Sequence, residues 1–137
     1  MDLSLPWGSD LAIGPNGDFK GVTDDAATKE RIVRRLLTNP IGLDSNGTEV
    51  AECDYHFHPN YGAGTRRYVH GVITQELQQT VQQRVTDQAL QEPSVVATPA
   101  PVVNVTKTLD GFGLAIDASV STVTGGIVTI PTIAVTL

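Results

Sequence analysis

The amino-acid sequence predicts an α+β fold in which two main helices pack on a small antiparallel sheet, because helical and strand patterns occupy separate parts of the chain. Before Pro93, apolar residues recur at helical spacing in two segments. After it, apolar and polar residues alternate in runs that glycine turns separate. The 137 residues suit one domain, with an N-terminal β-hairpin and helical body (residues 1–93), a proline-rich connector (94–101) and a C-terminal β region (102–137).

The N-terminal part of the chain predicts a β-hairpin followed by the first helix. Residues 10–13 and 18–22 flank Asn16-Gly17, a pair that favours a tight hairpin turn. The helix is expected to begin between Thr23 and Asp25, where acidic side chains suit its positive end, and to end at Asn39-Pro40. Its apolar face comprises Ile32, Val33, Leu36 and Leu37.

Residues 57–64 are predicted to form a shaped turn that follows a short strand at residues 52–58. Pro59 fixes its own φ angle and favours extended backbone before it, and two glycines permit angles that other residues resist. The residues that shape this turn or hold it against the core are Phe57, His58, Pro59, Tyr61, Gly62 and Gly64. Because the turn carries no nucleophile and no dense charge, it indicates docking or architecture rather than catalysis.

A second helix is predicted from Tyr68 to Gln91. Its apolar stripe recurs at spacings of four and consists of Ile73, Leu77, Val81, Val85 and Ala89. Glutamines cover much of the remaining surface. Two interpretations of these amides remain open, a plain solvated face or a surface that hydrogen-bonds to partners.

The C-terminal region predicts three strands, at residues 102–108, 114–124 and 127–137, of which the last carries no charge. Pro131 cannot donate to a strand ladder, so this last strand should lie at a sheet edge or carry a bulge. Its apolar positions change phase at the proline, with Ile127, Val128 and Ile130 before it and Ile133, Val135 and Leu137 after it. Because a bare apolar edge promotes aggregation, we expect a partner chain to cover it by strand addition.

Composition excludes several classes of protein. The formal charge of −6 argues against nucleic-acid binding, and no apolar run approaches the ~20 residues that span a bilayer. A single cysteine, Cys53, excludes an internal disulfide framework. The N-terminus lacks a signal-peptide pattern, so folding in a cytoplasm is expected.

Three chemical sites are conceivable, and none has a specific pattern. A metal site would use Cys53, His56, His58 and His70 with Glu52 and Asp54. A phosphate cradle would use Gly62-Ala63-Gly64 with Arg66-Arg67. Glycoside hydrolysis would use Glu92 with a second carboxylate from Asp54, Asp87 or Asp110. We therefore predict no catalytic residue, no cofactor and no metal.

The helix end Ile32–Pro40 and the turn His58–Gly64 together resemble the tail-wedge proteins of contractile phages. That family includes the lysozyme-like baseplate subunit of type VI secretion systems. The resemblance covers roughly residues 10–93. Family members commonly carry a Glu-Pro-Arg motif after the second helix, where this chain has Glu92-Pro93-Ser94. The resemblance implies that Glu92 and Pro93 support the fold and its docking, and that Ser94 moves or removes the contact of the family arginine.

The resemblance also implies a function. It indicates a structural, non-enzymatic subunit of the virion tail baseplate, made in the host cytoplasm and present in six copies. Its partners would be other baseplate wedge proteins, the tail tube or hub, and a sheath subunit that pairs with the C-terminal β element. Two alternatives remain open, a small lysozyme-like peptidoglycan hydrolase with Glu92 as its acid, and an adaptor of a non-contractile tail.

Overall fold

The computed structural model describes residues 2–4, 7–22, 24–43, 48–50, 52–69 and 72–136. Three residues of the predictions lie outside the described residues: Thr23 at the expected start of the first helix, His70 in the candidate metal set and Leu137 in the last strand. The elements in chain order are β1 (Asp2–Leu3), β2 (Gly21–Val22), α1 (Asp24–Leu37), β3 (Gly42–Leu43), β4 (Glu49–Val50), a 3₁₀ helix (Thr65–Val69), α2 (Gln75–Leu90), β5 (Val102–Lys107), β6 (Leu114–Ser121) and β7 (Ile127–Val135).

The two helices pack on an antiparallel sheet of order β5-β6-β7, which confirms the predicted α+β fold. Helix α2 contacts β5, α1 contacts β7, and the helices contact each other. The core between these layers includes Ile32 and Leu36 of α1, Val81 and Val85 of α2, and the inward side chains of the sheet. With few aromatic side chains available, this core consists mainly of aliphatic residues. No helix in the described part of the chain has the length and apolar character that crossing a membrane requires.

The N-terminal hairpin forms with less pairing than predicted. A single bridge joins Ile13 to Phe19, and Gly14 N–H donates to the carbonyl of Asp18 at 2.7 Å. After this bridge, Gly21–Val22 pairs with Asp2–Leu3 rather than with residues 10–13, the predicted first strand of the hairpin. The predicted turn is therefore present, and the N-terminal residues supply most of the ladder.

Helix α1 agrees with its predicted bounds, and α2 is shorter than predicted. The predicted start at Tyr68 is wrong, because residues 65–69 form a 3₁₀ helix and α2 begins at Gln75. Thr74 caps α2, since its Oγ1 accepts a hydrogen bond from Leu77 N–H at 3.1 Å. The β-branched pair Val72-Ile73 before this cap favours extended backbone, and Ile73 is buried ahead of the helix.

The predicted strand at residues 52–58 is wrong. This segment is irregular and contains turns, one of them closed by His58 N–H donating to Tyr55 C=O at 3.1 Å. Instead, the short strands β3 and β4 pair with each other before it. Alternating polarity alone does not make a strand, because the backbone groups also need a neighbouring strand as partner.

The C-terminal sheet confirms the predictions made from Pro131. Strand β7 lies at an edge of the sheet, and its ladder with β6 shifts register between Ile116 and Ala118. Ile130 pairs with Ala118 and Ile133 with Ile116, so Pro131 and Thr132 together oppose Asp117 in a bulge. The buried side chains of β7 are therefore at even-numbered positions before the bulge (Val128 and Ile130) and at an odd-numbered position after it (Val135), which is the predicted change of phase.

Candidate functional site

Glu92, which follows α2 and is only 4% exposed, links the two helices through its carboxylate. Arg35 Nε lies 3.2 Å from Glu92 Oε2, and Arg31 Nη1 lies 3.4 Å from Glu92 Oε1. Both arginines lie in the second half of α1, so these ion pairs join that part of α1 to the segment that follows α2. Because the carboxylate is buried, it depends on these partners for its hydrogen bonds.

Arg35 also reaches the turn at residues 57–64. The guanidinium carbon of Arg35 lies 4.4 Å from the centre of the Tyr61 ring, a cation–π distance. Arg35 Nη1 also donates to Gln88 Oε1 at 3.4 Å, and that oxygen accepts Gly62 N–H at 3.2 Å. The Glu92 cluster, by which we mean Arg31, Arg35, Gln88 and Glu92, therefore ties both helices to the turn.

The turn also satisfies the carbonyl groups at the end of α1. Ala63 N–H donates to Arg35 C=O at 2.8 Å, and Gly64 N–H donates to Thr38 C=O at 2.9 Å. Thr65 Oγ1 donates to Leu36 C=O at 2.7 Å. These carbonyls would otherwise lack partners at the helix end. The turn is thus an integral C-terminal cap of α1.

Gly62 is required by the close approach of the turn to α1. Its φ angle is +111°, and a Cβ atom added there would lie 2.2 Å from the carbonyl oxygen of Thr38. Real Cβ contacts are essentially never so short, and a backbone carbonyl cannot move aside like a flexible side chain. The predicted structural role of Gly62 therefore has a definite physical basis.

The side chains of the turn divide between packing and exposure. Tyr61 is half-buried and packs edge-to-face on Tyr55 with 5.4 Å between ring centres. Burial raises the pKa of the Tyr61 hydroxyl, and Arg35 and Arg34 partly oppose this shift. Phe57 is 89% exposed, so the prediction that it holds the turn against the core is wrong. A surface cleft of about 330 Å³ lies between Phe57 and Gln91 and also contacts His58 and Pro59.

Ser94, which follows Glu92 and Pro93, contacts both α1 and the turn that precedes β7. Its hydroxyl lies 2.8 Å from Thr28 Oγ1 on α1, and its carbonyl accepts Val123 N–H at 3.0 Å. Pro93 is exposed beside it. The positively charged partners of the neighbouring Glu92 are Arg31 and Arg35 of α1.

The geometry does not favour the three chemical sites considered from the sequence. In the part of the chain that the structure describes, no group of three or more His, Cys, Asp or Glu side chains could hold a metal ion. The N–H groups of Gly62, Ala63 and Gly64 donate to Gln88, Arg35 and Thr38, so they are not available to a phosphate. The buried, doubly paired carboxylate of Glu92 is closed to a polysaccharide.

The second candidate site is the outer edge of β7. Backbone groups in an antiparallel ladder face alternate sides, so a few hydrogen bonds fix the direction of all of them. Thr122 N–H donates to Gly126 C=O, whereas Ser121 C=O accepts Val96 N–H on the other side of β6. With the observed register, the backbone of Val128 and Ile130 faces β6, and that of Ile127 and Thr129 faces outward. The same alternation places Ala134 outward after the bulge.

The outward groups of β7 remain unpaired within the described residues. β7 is an outermost strand of the sheet. Apart from its ladder with β6, no backbone hydrogen bond among the described residues reaches Ile127, Thr129 or Ala134. Ile127 is 70% exposed, and Thr129, Pro131, Thr132 and Ala134 are also exposed. This edge, defined here as residues 127–134, therefore offers backbone donors and acceptors to solvent.

The opposite edge of the sheet, on β5, has one of its outward backbone groups occupied by α2. Val103 of β5 faces outward in its ladder, and its carbonyl accepts Gln82 Nε2 of α2 at 2.8 Å. This contact and the Gln88 contact use two of the amides that the sequence left open. Their internal roles were missed because glutamine spacing does not reveal which backbone group lies opposite. A side chain of α2 thus occupies one outward carbonyl of β5, whereas among the described residues no such contact reaches the outward groups of β7.

No protein-family model, curated protein or solved structure matches this chain.

Proposed function

We propose that the protein is a structural subunit of a contractile phage tail baseplate wedge, and that it initiates sheath assembly by presenting the outer edge of β7 to a strand of a sheath subunit. The observation that carries this proposal is the unpaired edge at Ile127 and Thr129. Strand addition uses backbone groups of this kind, and it leaves specificity to the neighbouring side chains. The assignment to phage tails rests on the sequence resemblance described above.

The helical body would serve as the rigid support for this edge. Asp25, near the start of α1, accepts a hydrogen bond from Thr122 Oγ1 at 3.2 Å in the turn that precedes β7. Ser94 binds both α1 and Val123 in the same region. The Glu92 cluster then fixes α1 to α2 and to the turn at residues 57–64. A partner strand would therefore meet an edge whose position is set before binding, which lowers the ordering cost of association.

The turn and its cleft supply a second surface for contact with the other wedge subunits. Phe57 is exposed there on a backbone that hydrogen bonds hold in place. An ordered, exposed aromatic side chain is a common anchor in protein interfaces. In this proposal the body binds the wedge through this surface, and β7 remains available to the sheath.

The experiment that tests the proposal replaces Thr129 by proline. The N–H of Thr129 faces outward, so Thr129→Pro removes a docking donor and places a ring on the open edge without breaking the β6–β7 ladder. We expect particles carrying this variant to contain the subunit but to lack assembled sheath in electron micrographs. Thr129→Val is the matched control, because it keeps the N–H and should support normal sheath assembly.

Intact sheath on Thr129→Pro particles would contradict the proposal. Deleting residues 131–137 is a poorer test, because Val135 is buried and Ile133 packs against the core. If the protein sits in tails without any sheath and Thr129→Pro blocks assembly of another subunit, the adaptor alternative explains the edge better.

A further inference from the structure

We propose that Pro131 makes the outer edge of β7 accept a strand of a different chain in preference to a second copy of this protein. The inference rests on the proposed docking edge and concerns which strand that edge accepts. It follows from the direction in which the missing N–H of the proline would point.

Pro131 lies at an outward-facing position of β7. Ile130 faces β6 and pairs with Ala118, and the next residue to face β6 is Ile133, which pairs with Ile116. Pro131 therefore follows the outward series of Ile127 and Thr129. Since proline has no N–H, the internal ladder loses no hydrogen bond, whereas the open edge loses one donor.

Self-pairing and foreign pairing respond differently to this missing donor. Two copies would pair antiparallel about a two-fold axis. The longest ladder that the outward positions 127, 129 and 131 can form is centred on Thr129, and it places each Pro131 opposite Ile127 of the second copy. The missing bond then occurs twice. A foreign strand meets the proline once, and it can end before Pro131 and lose nothing. The proline thus opposes self-association more strongly than partner binding.

The size of this preference follows from the usual net value of one hydrogen bond. A bond worth ~1 kcal/mol changes an equilibrium constant about fivefold, and two bonds change it about thirtyfold. Restoring the donor should therefore strengthen self-association on the order of thirtyfold, and strengthen binding of a foreign strand at most about fivefold.

Sedimentation equilibrium of the purified full-length protein tests the inference. The dimerisation constant is measured for the wild type, Pro131→Val and Thr132→Val. We expect Pro131→Val to dimerise about thirtyfold more tightly than the wild type. Thr132→Val adds apolar surface in the same bulge without adding a donor, so its dimerisation constant should stay within about threefold of the wild type. Circular dichroism confirms that each variant is folded.

Two further variants separate the missing donor from apolar bulk and from altered folding. Pro131→Ala restores the N–H with a small side chain and should also strengthen dimerisation. Adding Thr129→Pro to Pro131→Val should reverse it, because the two-fold ladder then loses its central pair. Unchanged dimerisation in both Pro131 variants, or an equal increase in Thr132→Val, would overturn the inference. The sheath experiment with Thr129→Pro is independent of this result, so failure of the proposed function is recognised separately.

Discussion

Replacing Glu92 by glutamine should destabilise the protein strongly, because it removes the buried negative charge that holds two arginines of α1. The Glu92 side chain is 5% exposed, and the Arg35 side chain 14% exposed. Removing one partner from a buried pair costs roughly 3–5 kcal/mol. Arg31 is 36% exposed, so solvent screens its share of the interaction and it adds little. We therefore expect Glu92→Gln to lower the free energy of unfolding by about 3 kcal/mol.

This loss should be visible in thermal and urea unfolding followed by circular dichroism. For a chain of this length the unfolding entropy is roughly 0.3 kcal/mol per degree, so Tm should fall by about 10 °C. Glu76→Gln is the matched control, since Glu76 is an exposed acid in the first turn of α2 and should contribute less than about 1 kcal/mol. A Tm decrease under about 3 °C for Glu92→Gln would refute the structural role of the cluster. Muramidase activity that disappears in Glu92→Gln at unchanged stability would instead support the hydrolase alternative.

Three other substitutions test separate parts of the structure. Gly62→Ala should lower the free energy of unfolding in urea by more than about 3 kcal/mol, because its Cβ would meet the Thr38 carbonyl. Gly17→Ala is the control, since Gly17 has φ +80° but open space around it, and it should cost only about 1–2 kcal/mol. Equal losses in the two variants would contradict this explanation. The raised pKa of Tyr61 means that its contribution to stability is complete below pH 10 and is lost as the pH rises through the folded-state pKa. In Tyr61→Phe the urea midpoint should therefore decrease less above pH 10 than it does in the wild type. An equal decrease in both proteins would contradict this role of the Tyr61 hydroxyl. Val128→Pro should cost at least ~3 kcal/mol more than Val128→Ala, because its N–H faces β6, and a similar cost for both would show that the ladder phase is wrong.

The parts of the fold that the sequence predicts well depend on local chemistry. The apolar faces of α1 and α2 follow from helical periodicity, which is preserved wherever the helix packs. Pro131 predicts an edge position or a bulge because its missing N–H limits pairing in any sheet, and the structure shows both. The glycine at position 62 indicates unusual backbone, and the structure supplies the reason in its contact with Thr38.

The parts that the sequence does not predict depend on contacts between distant residues. Glu92 meets Arg31 and Arg35 across a long stretch of chain, and no spacing rule connects them. Residues 52–58 alternate like a strand but have no neighbouring strand to pair with, and Phe57 points to solvent although its chemistry suits a core. The internal contact of Gln82 is also between distant residues, because its amide lies opposite the carbonyl of Val103 on β5.

Amide hydrogen exchange along β7 tests the central claim most directly. In the free protein, the amides of Val128 and Ile130 should exchange slowly because they bond to β6, and those of Ile127 and Thr129 should exchange rapidly. In a complex with the proposed sheath partner, the amides of Ile127 and Thr129 should become as protected as those of their neighbours. Rapid exchange at Thr129 in the complex, or slow exchange there in the free protein, would contradict docking by strand addition at this edge.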